Sequence, residues 1–212
     1  VRSVDDIRSL EVVRLDDGIE LRMWLAPGDA ACIGERRRHV AGPTGCGICG
    51  IESIAEAVRP AAVVPHGQTF TPEQVMAAMQ TIAPLQSINL QTRAVHAAAF
   101  WSTTGHIVAL REDVGRHNAL DKLAGALARS RTDTRGGMVL LTSRVSVEMV
   151  QKAAAIGAPV MVAVSAPTAL AVRTAEAAGI TLIAIARQDG FEVFSHGDRV
   201  AARHATEVAD VA

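Results

Sequence analysis

The chain opens with alternating apolar and polar positions that predict a small β-rich segment. Leu10–Leu15 and Ile19–Leu25 have the composition of strands, and the turn sequence Asp-Asp-Gly at residues 16–18 favours a hairpin between them. Residues 32–50 contain five glycines and one proline, which predicts an exposed loop. We therefore expect residues 1–50 to form a small β segment followed by a mobile cysteine loop.

The remaining residues, 51–212, alternate between helical and strand-like patterns. Thr71, Pro72 and Gln74 form a capping-box sequence, which predicts a helix that runs to about Ala83. Continuous apolar runs separated by helices of about ten residues are typical of parallel strands with helical cover, so the predicted fold class is α/β. The expected strands are Val95–Ser102, His106–Arg111, Met138–Thr142, Val160–Ser165, Thr181–Ala186 and Phe191–Ser195, and the further expected helices are His117–Arg129, Val147–Ala155 and Thr168–Ala178.

Composition refines this picture and excludes one class of partner. Hydrophobic residues make up 49% of the 212 residues but aromatic residues only 3%, so aliphatic side chains must fill a core in which helices pack closely on a sheet. The net charge of −1 gives no global field that would attract nucleic acid, and we expect no nucleic-acid partner. A local basic run, Arg36–His39, is either a solvated loop or a site for an anionic partner.

Membrane-span length, signal-peptide pattern and cysteine count together predict the cellular compartment. No stretch approaches the roughly 18–20 consecutive apolar residues of a membrane span, and no signal peptide is visible. Three cysteines are an odd number, which argues against a disulfide scaffold and favours a reducing compartment. We therefore expect a cytoplasmic protein with no membrane partner.

The strongest chemical signal is the pair Cys46 and Cys49, separated by two residues in a glycine-rich loop. Glycines at positions 45, 47 and 50 leave both thiols uncovered and allow tight turns. Pairing two thiols at this spacing usually lowers one pKa, which increases the fraction of nucleophilic thiolate at neutral pH. A persulfide carrier, in which one cysteine holds sulfur and the other assists or resolves, would use this chemistry.

Two other interpretations of the cysteine pair remain open. With Cys32 and His39 it could supply four zinc ligands, although a second closely spaced pair is missing. A thioredoxin-like redox pair is the other interpretation, although that motif normally lies at the start of a helix and has an aromatic residue before its first cysteine. Both lack residues that they normally require, so a carrier site without metal is favoured.

A second signal is the charged segment Arg111–Lys122, which lies between a predicted strand and a predicted helix. A strand-to-helix turn directs backbone N–H groups and the positive end of the helix dipole outward. Arg116 and Lys122 add cationic donors, so an anionic ligand such as a phosphate, or a pterin that carries phosphates, would fit here. The alternative is a charged helix start with Asp113 or Asn118 as its cap.

Three further positions are candidate binding residues. Ser143 follows a buried strand, where the ligand sites of α/β proteins gather, and Ser146 in the same turn would serve as a helix cap. His96 in an apolar strand is either a ligand or a hydrogen-bonded core residue, and Ala98 stands where a zinc deaminase has its glutamate, which disfavours deaminase chemistry. Phe191–Ser195 is either a plain edge strand or one whose two phenylalanines sandwich a heterocycle.

Together these motifs resemble the formate dehydrogenase accessory sulfurtransferase family. The resemblance extends from about Val4 to Val200, and its motifs are Thr44–Gly50, Glu112–Lys122, Ser143–Ser146 and Gly190–His196. The second motif is long and specific, whereas the cysteine motif alone would be weak. The family implies a three-layer α/β sandwich resembling the cytidine deaminase core, without the zinc chemistry of that enzyme.

The resemblance also implies a function, that of a sulfurtransferase. Sulfur would pass from a cysteine desulfurase to the molybdenum bis(molybdopterin guanine dinucleotide) cofactor, the bound acceptor, and would enable formate dehydrogenase activity. Cys46 matches the persulfide cysteine and Cys49 matches its helper. The stretch that matches a cofactor-binding segment consists of Phe191, Glu192, Val193, Phe194, Ser195 and His196.

Some expectations lie outside the resemblance. Because apolar α/β sheets often pair, we expect a homodimer. Two alternative functions remain open, a molybdenum-cofactor chaperone that moves no sulfur and a zinc-bearing interaction domain.

Overall fold

The computed structural model describes residues 4–16, 18–26 and 60–201, and two compact units, Val1–Ile54 and Ala55–Ala212, divide the chain. In the smaller unit a 3-10 turn, Val4–Asp6, leads into strand β1 (Ile7–Leu15), which pairs antiparallel with β2 (Gly18–Leu25). Both predicted strands of this segment are confirmed, and β1 begins three residues earlier than expected.

The larger unit, described from residue 60 to residue 201, contains helices and strands in alternation. Its helices are α1 (Pro72–Gln80), α2 (Ser87–Thr92), α3 (Arg116–Arg129), α4 (Val147–Ile156) and α5 (Ala169–Ala178), and its 3-10 turns are Ala83–Leu85, Thr134–Gly136 and Gly197–Arg199. Its strands are β3 (His96–Ser102), β4 (Ile107–Asp113), β5 (Gly137–Leu141), β6 (Val160–Ala163), β7 (Thr181–Arg187) and β8 (Gly190–Ser195). Each strand and helix expected of this unit is present, and α2 is an addition. Within the described part of the chain, no helix has both the length and the apolar character of a membrane span.

The six strands of the larger unit form one sheet in the order β4-β3-β5-β6-β7-β8. Strands β5, β6 and β7 run parallel to one another, as their continuous apolar sequences predicted. Strands β3, β4 and β8 run antiparallel to their neighbours. As a result, β3 and β8 begin, and β4 ends, at the edge where the parallel strands end. We call this edge the carboxyl edge.

Helices cover both faces of this sheet, because successive side chains of a buried strand point to opposite faces. On one face, Ala98, Phe100 and Leu141 pack with apolar residues of α3, α4 and α5. On the other face, Ala99 and Leu140 pack with residues of α1. The larger unit is therefore a three-layer arrangement of helices, sheet and helix, and small side chains in the sheet let the layers approach closely.

Helix ends follow the sequence signals where these are present. Gln74 N donates to Thr71 Oγ1 at 3.2 Å and Thr71 N donates to Gln74 Oε1 at 2.9 Å, so the predicted capping box of α1 is confirmed. α1 ends at Gln80, earlier than expected, and the next turn contains Pro84, which has no N–H to continue an α-helix. α5 ends before Gly179, whose φ of 71° is the left-handed conformation that glycine readily adopts at the end of a helix.

Candidate functional site at the carboxyl edge

The carboxyl edge gathers residues from distant parts of the sequence. His96 at the start of β3 pairs with Asp113 at the end of β4, and β3 pairs in turn with β5. Thr142 anchors the junction of β3 and β5, since its Oγ1 accepts a hydrogen bond from Ala97 N at 2.8 Å. Helices α3, α4 and α5 follow strands that end here, so their amino termini face the same edge.

Asp113 organises the turn between β4 and α3. Its Oδ1 accepts hydrogen bonds from Gly115 N at 2.8 Å and Asn118 Nδ2 at 3.2 Å, and its Oδ2 accepts one from Lys122 Nζ at 2.5 Å. The hydrogen bond from Lys122 is the largest of the causes that hold the pKa of Asp113 below its ordinary value. Lys122 also donates to Glu112 O at 3.1 Å. The lysine therefore holds the turn together, and its role in cofactor binding stays a prediction.

Glu112 has a buried carboxylate, 8% exposed, that caps helix α2. Its Oε2 accepts hydrogen bonds from Ile88 N at 2.9 Å and Ser87 Oγ at 3.3 Å, and its Oε1 accepts one from Asn89 N at 2.8 Å. The carboxylate thus satisfies N–H groups that lack partners within the helix, and it interacts favourably with the helix dipole. Helix α2 was not predicted from the sequence, because six residues are too few to show a helical period.

His96 lies in a positively charged part of the carboxyl edge. Its side chain is half-buried, and this burial is the largest of the causes that lower its pKa. The guanidinium groups of Arg116 and Arg144 lower the pKa further, so His96 is neutral at pH 7. The structure therefore brings His96, Arg116 and the turn that contains Ser143 into one region, where a bound anion would be stabilised.

The turn after β5 contributes buried hydroxyl groups to this region. Ser143 is 3% exposed, and its Oγ donates to Arg144 O at 3.1 Å. Ser146 occupies the cap position of α4, but its side chain makes no capping hydrogen bond. Among the residues that the structure describes, the buried Ser146 Oγ has no hydrogen-bond partner. The expectation that Ser146 caps α4 therefore holds for its position and is wrong for its side chain.

One contact between α3 and α4 was not predicted from the sequence. His117 Nε2 lies 3.6 Å from Glu148 Oε2. Burial, with Arg116 and Lys152 nearby, lowers the pKa of His117 to about 4, so the imidazole is neutral at pH 7 and the contact is not an ion pair. Lys152 also pairs with Asp121 across the same two helices. Helices α3 and α4 each directly follow a strand of the same sheet. This pattern in the sequence could have predicted that the two helices lie side by side.

The predicted cofactor-binding stretch, Phe191–His196, crosses the sheet from one edge to the other. Phe191 lies near the carboxyl edge, next to Gly190, which pairs with Arg187 at the end of β7. Ser195 and His196 lie at the opposite edge. A strand of this length spans about 20 Å, so only an extended ligand could contact all six residues.

The two residues at the far end of this stretch have structural partners. Ser195 is buried, and its Oγ accepts a hydrogen bond from Leu182 N at 3.1 Å and donates one to Ile180 O at 2.8 Å. His196 Nε2 lies 2.8 Å from Glu176 O, near the end of α5. These contacts attach β8 to the rest of the larger unit, and cofactor binding by the two residues stays a prediction.

The expectation that two phenylalanines sandwich a heterocycle is wrong. Phe191 packs against the core on the face that α1 covers, whereas Phe194 packs against the core on the face covered by α3, α4 and α5. Residues three apart in a strand point to opposite faces, so their rings cannot face each other.

Cys46 and Cys49, with Cys32 and the basic run Arg36–His39, lie outside the described residues. Among residues 4–16, 18–26 and 60–201, no group of three or more His, Cys, Asp and Glu side chains is placed to hold a metal ion. The predicted persulfide chemistry therefore depends on the sequence and on relatives of the chain.

Comparison with known proteins places the chain in a family. The sequence profile of the FdhD/NarQ family matches residues 1–201. The sulfur carrier protein FdhD of Agrobacterium fabrum is 48% identical over 204 residues, which cover 92% of this chain and 72% of that protein. The sulfur carrier protein FdhD of Bordetella bronchiseptica is 44% identical over 202 residues, which cover 95% of this chain and 73% of that protein.

A solved structure has a similar fold. It is described as that of a formate dehydrogenase accessory protein from Desulfotalea psychrophila, and it matches with a TM-score of 0.70 at 23% identity, over 95% of this chain and 74% of the other. The fold likeness, the profile match and the identities to the two relatives agree with the family that the sequence motifs resembled. This chain belongs to the FdhD/NarQ family.

Proposed function

We propose that the chain is a sulfur carrier that accepts sulfane sulfur on Cys46 and delivers it for the activity of formate dehydrogenase. The observation that carries this proposal is family membership, since relatives with 44% and 48% identity bear the name sulfur carrier protein. The pair of cysteines supplies the chemistry, because flanking glycines and a spacing of two residues favour an accessible thiol with thiolate character.

The first step loads Cys46. Its thiolate attacks the outer sulfur of a persulfide on a cysteine desulfurase, and a new S–S bond forms between that sulfur and Cys46 Sγ. The S–S bond of the donor breaks, and its electron pair leaves with the desulfurase thiolate. The proton of the persulfide stays on the transferred sulfur, so the step needs no oxidant or reductant.

In the second step the carried sulfur leaves Cys46 as hydrosulfide, which is at the oxidation level of sulfide. The Cys49 thiolate attacks Cys46 Sγ, and a disulfide forms between the two cysteines. The outer sulfur leaves with the electron pair as hydrosulfide, which the acceptor takes up as substrate. A cellular thiol reductant then reopens the disulfide by exchange. This assigns Cys49 as the resolving cysteine.

The acceptor that we propose is the molybdenum bis(molybdopterin guanine dinucleotide) cofactor, held as cargo at the carboxyl edge. Arg116 and Arg144 near His96 provide positive potential for its phosphates. The amino termini of α3, α4 and α5 point to the same edge and add backbone N–H donors. Phe191 reaches this edge from β8.

The proposal also covers the type of core, the cellular compartment, the oligomeric state and the sulfur donor. The larger unit would have a core of the cytidine deaminase type that lacks the zinc centre, since Ser146 caps α4 and Val147 begins it, where a deaminase would have its cysteine pair. The chain would work in the cytoplasm as a homodimer that receives sulfur from a cysteine desulfurase. Metal analysis of the purified protein tests the core type, and stoichiometric zinc would contradict it. Light scattering tests the dimer.

Sulfur loading is tested by intact mass after incubation with a cysteine desulfurase and cysteine. The wild-type chain should gain one sulfur atom, located in the tryptic peptide that contains Cys46. Cys46→Ala should gain none, and Cys32→Ala is the matched control that should load normally. Cys49→Ala should load but fail to release hydrosulfide to an acceptor. A Cys46→Ala protein that still matures formate dehydrogenase would overturn the proposal.

A further inference from the structure

His96 is the ionisable residue of β3, and charged groups reach it from the elements on both sides of that strand. In β4, Asp113 lies opposite His96. The carboxylate of Asp113 is already engaged, because Lys122 Nζ donates to its Oδ2 and Gly115 N donates to its Oδ1. Arg116 begins α3 directly after Gly115. A lysine therefore compensates the carboxylate opposite His96, and an arginine follows it in the same turn.

The turn after β5 brings a second arginine to His96 from the other side. Ala98 pairs with Leu141 in antiparallel register, and the same register places His96 across from Ser143, with Arg144 next in the chain. Hydrogen bonds between the intervening pair of residues hold this register at the edge of the sheet. Ser143 is buried, whereas Arg144 is exposed to solvent. His96 thus lies between guanidinium groups that come from two different elements.

These two arginines set the protonation state of His96. Burial and the guanidinium groups of Arg116 and Arg144 all lower the pKa of His96. Other charged side chains at this end of α3 and α4 contact one another across the two helices, His117 with Glu148 and Lys152 with Asp121. A third positive charge between the two guanidinium groups would be repelled by both, so the imidazole is neutral at pH 7.

We propose that His96 takes up a proton from solvent when an anion binds between Arg116 and Arg144, and returns it when the anion leaves. An anion that contacts both guanidinium groups offsets their repulsion of the imidazolium and adds an attraction of its own. A protonated ring also donates hydrogen bonds from both nitrogens, whereas a neutral ring donates from one. His96 is therefore a third cation only while the anion is bound.

This linkage makes anion binding depend on pH. Because the bound state holds one more proton, the affinity for an anion rises as the pH falls through the range in which His96 titrates. The natural anion would be a phosphate group of the cargo, so the inference rests on the proposed function. An acceptor that removes the cargo would release a proton at the same time.

The test is a pH titration of the His96 ring protons by nuclear magnetic resonance, in sodium sulfate and in sodium chloride of equal ionic strength. Sulfate is the probe because its charge, unlike that of phosphate, is constant where histidine titrates. The signals that are absent from His96→Gln belong to His96. Their titration midpoint should lie about 1 pH unit higher in sulfate than in chloride, as expected for an opposite charge beside the ring. His106, in the hairpin between β3 and β4 at the opposite edge, is the internal reference and should show no such difference.

Substitutions with a matched control test the two arginines. Arg116→Gln and Arg144→Gln should each raise the midpoint in chloride, because one source of repulsion is lost, and each should reduce the effect of sulfate. Arg129→Gln removes an exposed cation at the other end of α3 and should change neither. The wild-type chain should bind sulfate about 3-fold more tightly near pH 6 than near pH 8, as one linked proton predicts, and His96→Gln should lose this dependence.

Four results would overturn the inference: equal His96 midpoints in sulfate and chloride, an equal sulfate effect at His106, a sulfate effect unchanged by both arginine substitutions, or undiminished pH dependence of sulfate binding in His96→Gln. Dispersion of the amide signals confirms that each variant is folded. Sulfur loading on Cys46 is measured separately. A chain that loads sulfur without a His96 response would defeat the proton linkage alone, and a His96 response in a chain that loads no sulfur would defeat the proposed function alone.

Discussion

Replacing Glu112 with glutamine removes one of the two carboxylate oxygens that hold the start of α2. The carboxylate is buried and accepts hydrogen bonds from Ile88 N and Asn89 N, one on each oxygen. A glutamine amide can accept only one of these bonds and turns an NH₂ donor toward the other N–H. The perturbation is therefore local, and its cost can be worked from the contacts.

Loss of one hydrogen bond to a buried charged acceptor costs about 1.5–3 kcal/mol. Loss of a negative charge at a helix amino terminus costs about 0.3–1 kcal/mol more. We therefore expect Glu112→Gln to lower the free energy of unfolding of the larger unit by about 2–4 kcal/mol. Amide exchange at Ile88 and Asn89 should quicken by a larger factor than exchange elsewhere, because local opening of α2 becomes easier.

Urea denaturation and hydrogen-exchange mass spectrometry measure these two effects. Glu176→Gln is the matched control, because the same chemical change occurs there on an exposed side chain of α5 and should shift stability by less than about 0.5 kcal/mol. If Glu112→Gln unfolds at the same urea concentration as this control, with unchanged exchange at Ile88 and Asn89, then the buried carboxylate does not stabilise α2 and the reasoning fails.

Three other substitutions test separate contacts. Ser195→Ala leaves Leu182 N and Ile180 O without the hydroxyl and should destabilise the protein by about 1–3 kcal/mol in urea titrations. His117 has a folded pKa of about 4 and an ordinary value of 6.5, so stability should fall as the pH drops through this window, and His117→Gln should flatten that part of the stability profile. Thr71→Ala removes a cap of α1 and should lower stability by about 1 kcal/mol.

Each of these has a result that would contradict it. A Ser195→Ala protein as stable as wild type would mean that water or a shifted strand replaces the hydroxyl. If His117→Gln and the wild-type chain lose stability equally as the pH falls, then a group other than His117 causes the acid sensitivity. Equal melting temperatures for Thr71→Ala and wild type would show that the capping box is not needed in the folded unit.

The layered fold was predictable because its signals are local or repeat along the chain. The buried apolar run of β6 marked a strand covered on both faces, and the strand direction followed from the helices between such runs. The capping box at Thr71 was equally local. In contrast, the start of α2 depends on hydrogen bonds to Glu112, which lies at least 23 residues away in the sequence. The six residues of α2 contain no pattern that indicates this partner.

The candidate site was predictable in its location and less so in its chemistry. Ser143 was predicted because strand ends gather ligands, Arg116 because it adds a cation to a strand-to-helix turn, and His96 because it is a histidine in an apolar strand. The structure brings the three to one region. Lys122 carried the right charge, but sequence alone could not show that Asp113 engages it. The prediction that two rings enclose a heterocycle was wrong, and the alternation of side chains along a strand already argued against it. Phe191 and Phe194 are an odd number of residues apart, so they lie on opposite faces of the sheet.

The order of strands in the sheet has a consequence for synthesis of the protein. Positions that meet at the carboxyl edge range from His96 to Phe191, and among residues 4–16, 18–26 and 60–201 the last strand to leave the ribosome is β8. Pairing of such remote segments must wait for slow chain closure, and domains of this kind fold late relative to those with local pairing. A nascent chain that ends before residue 190 therefore lacks β8, the outer strand next to β7, so the six-stranded sheet can be completed only after this last described strand has been made.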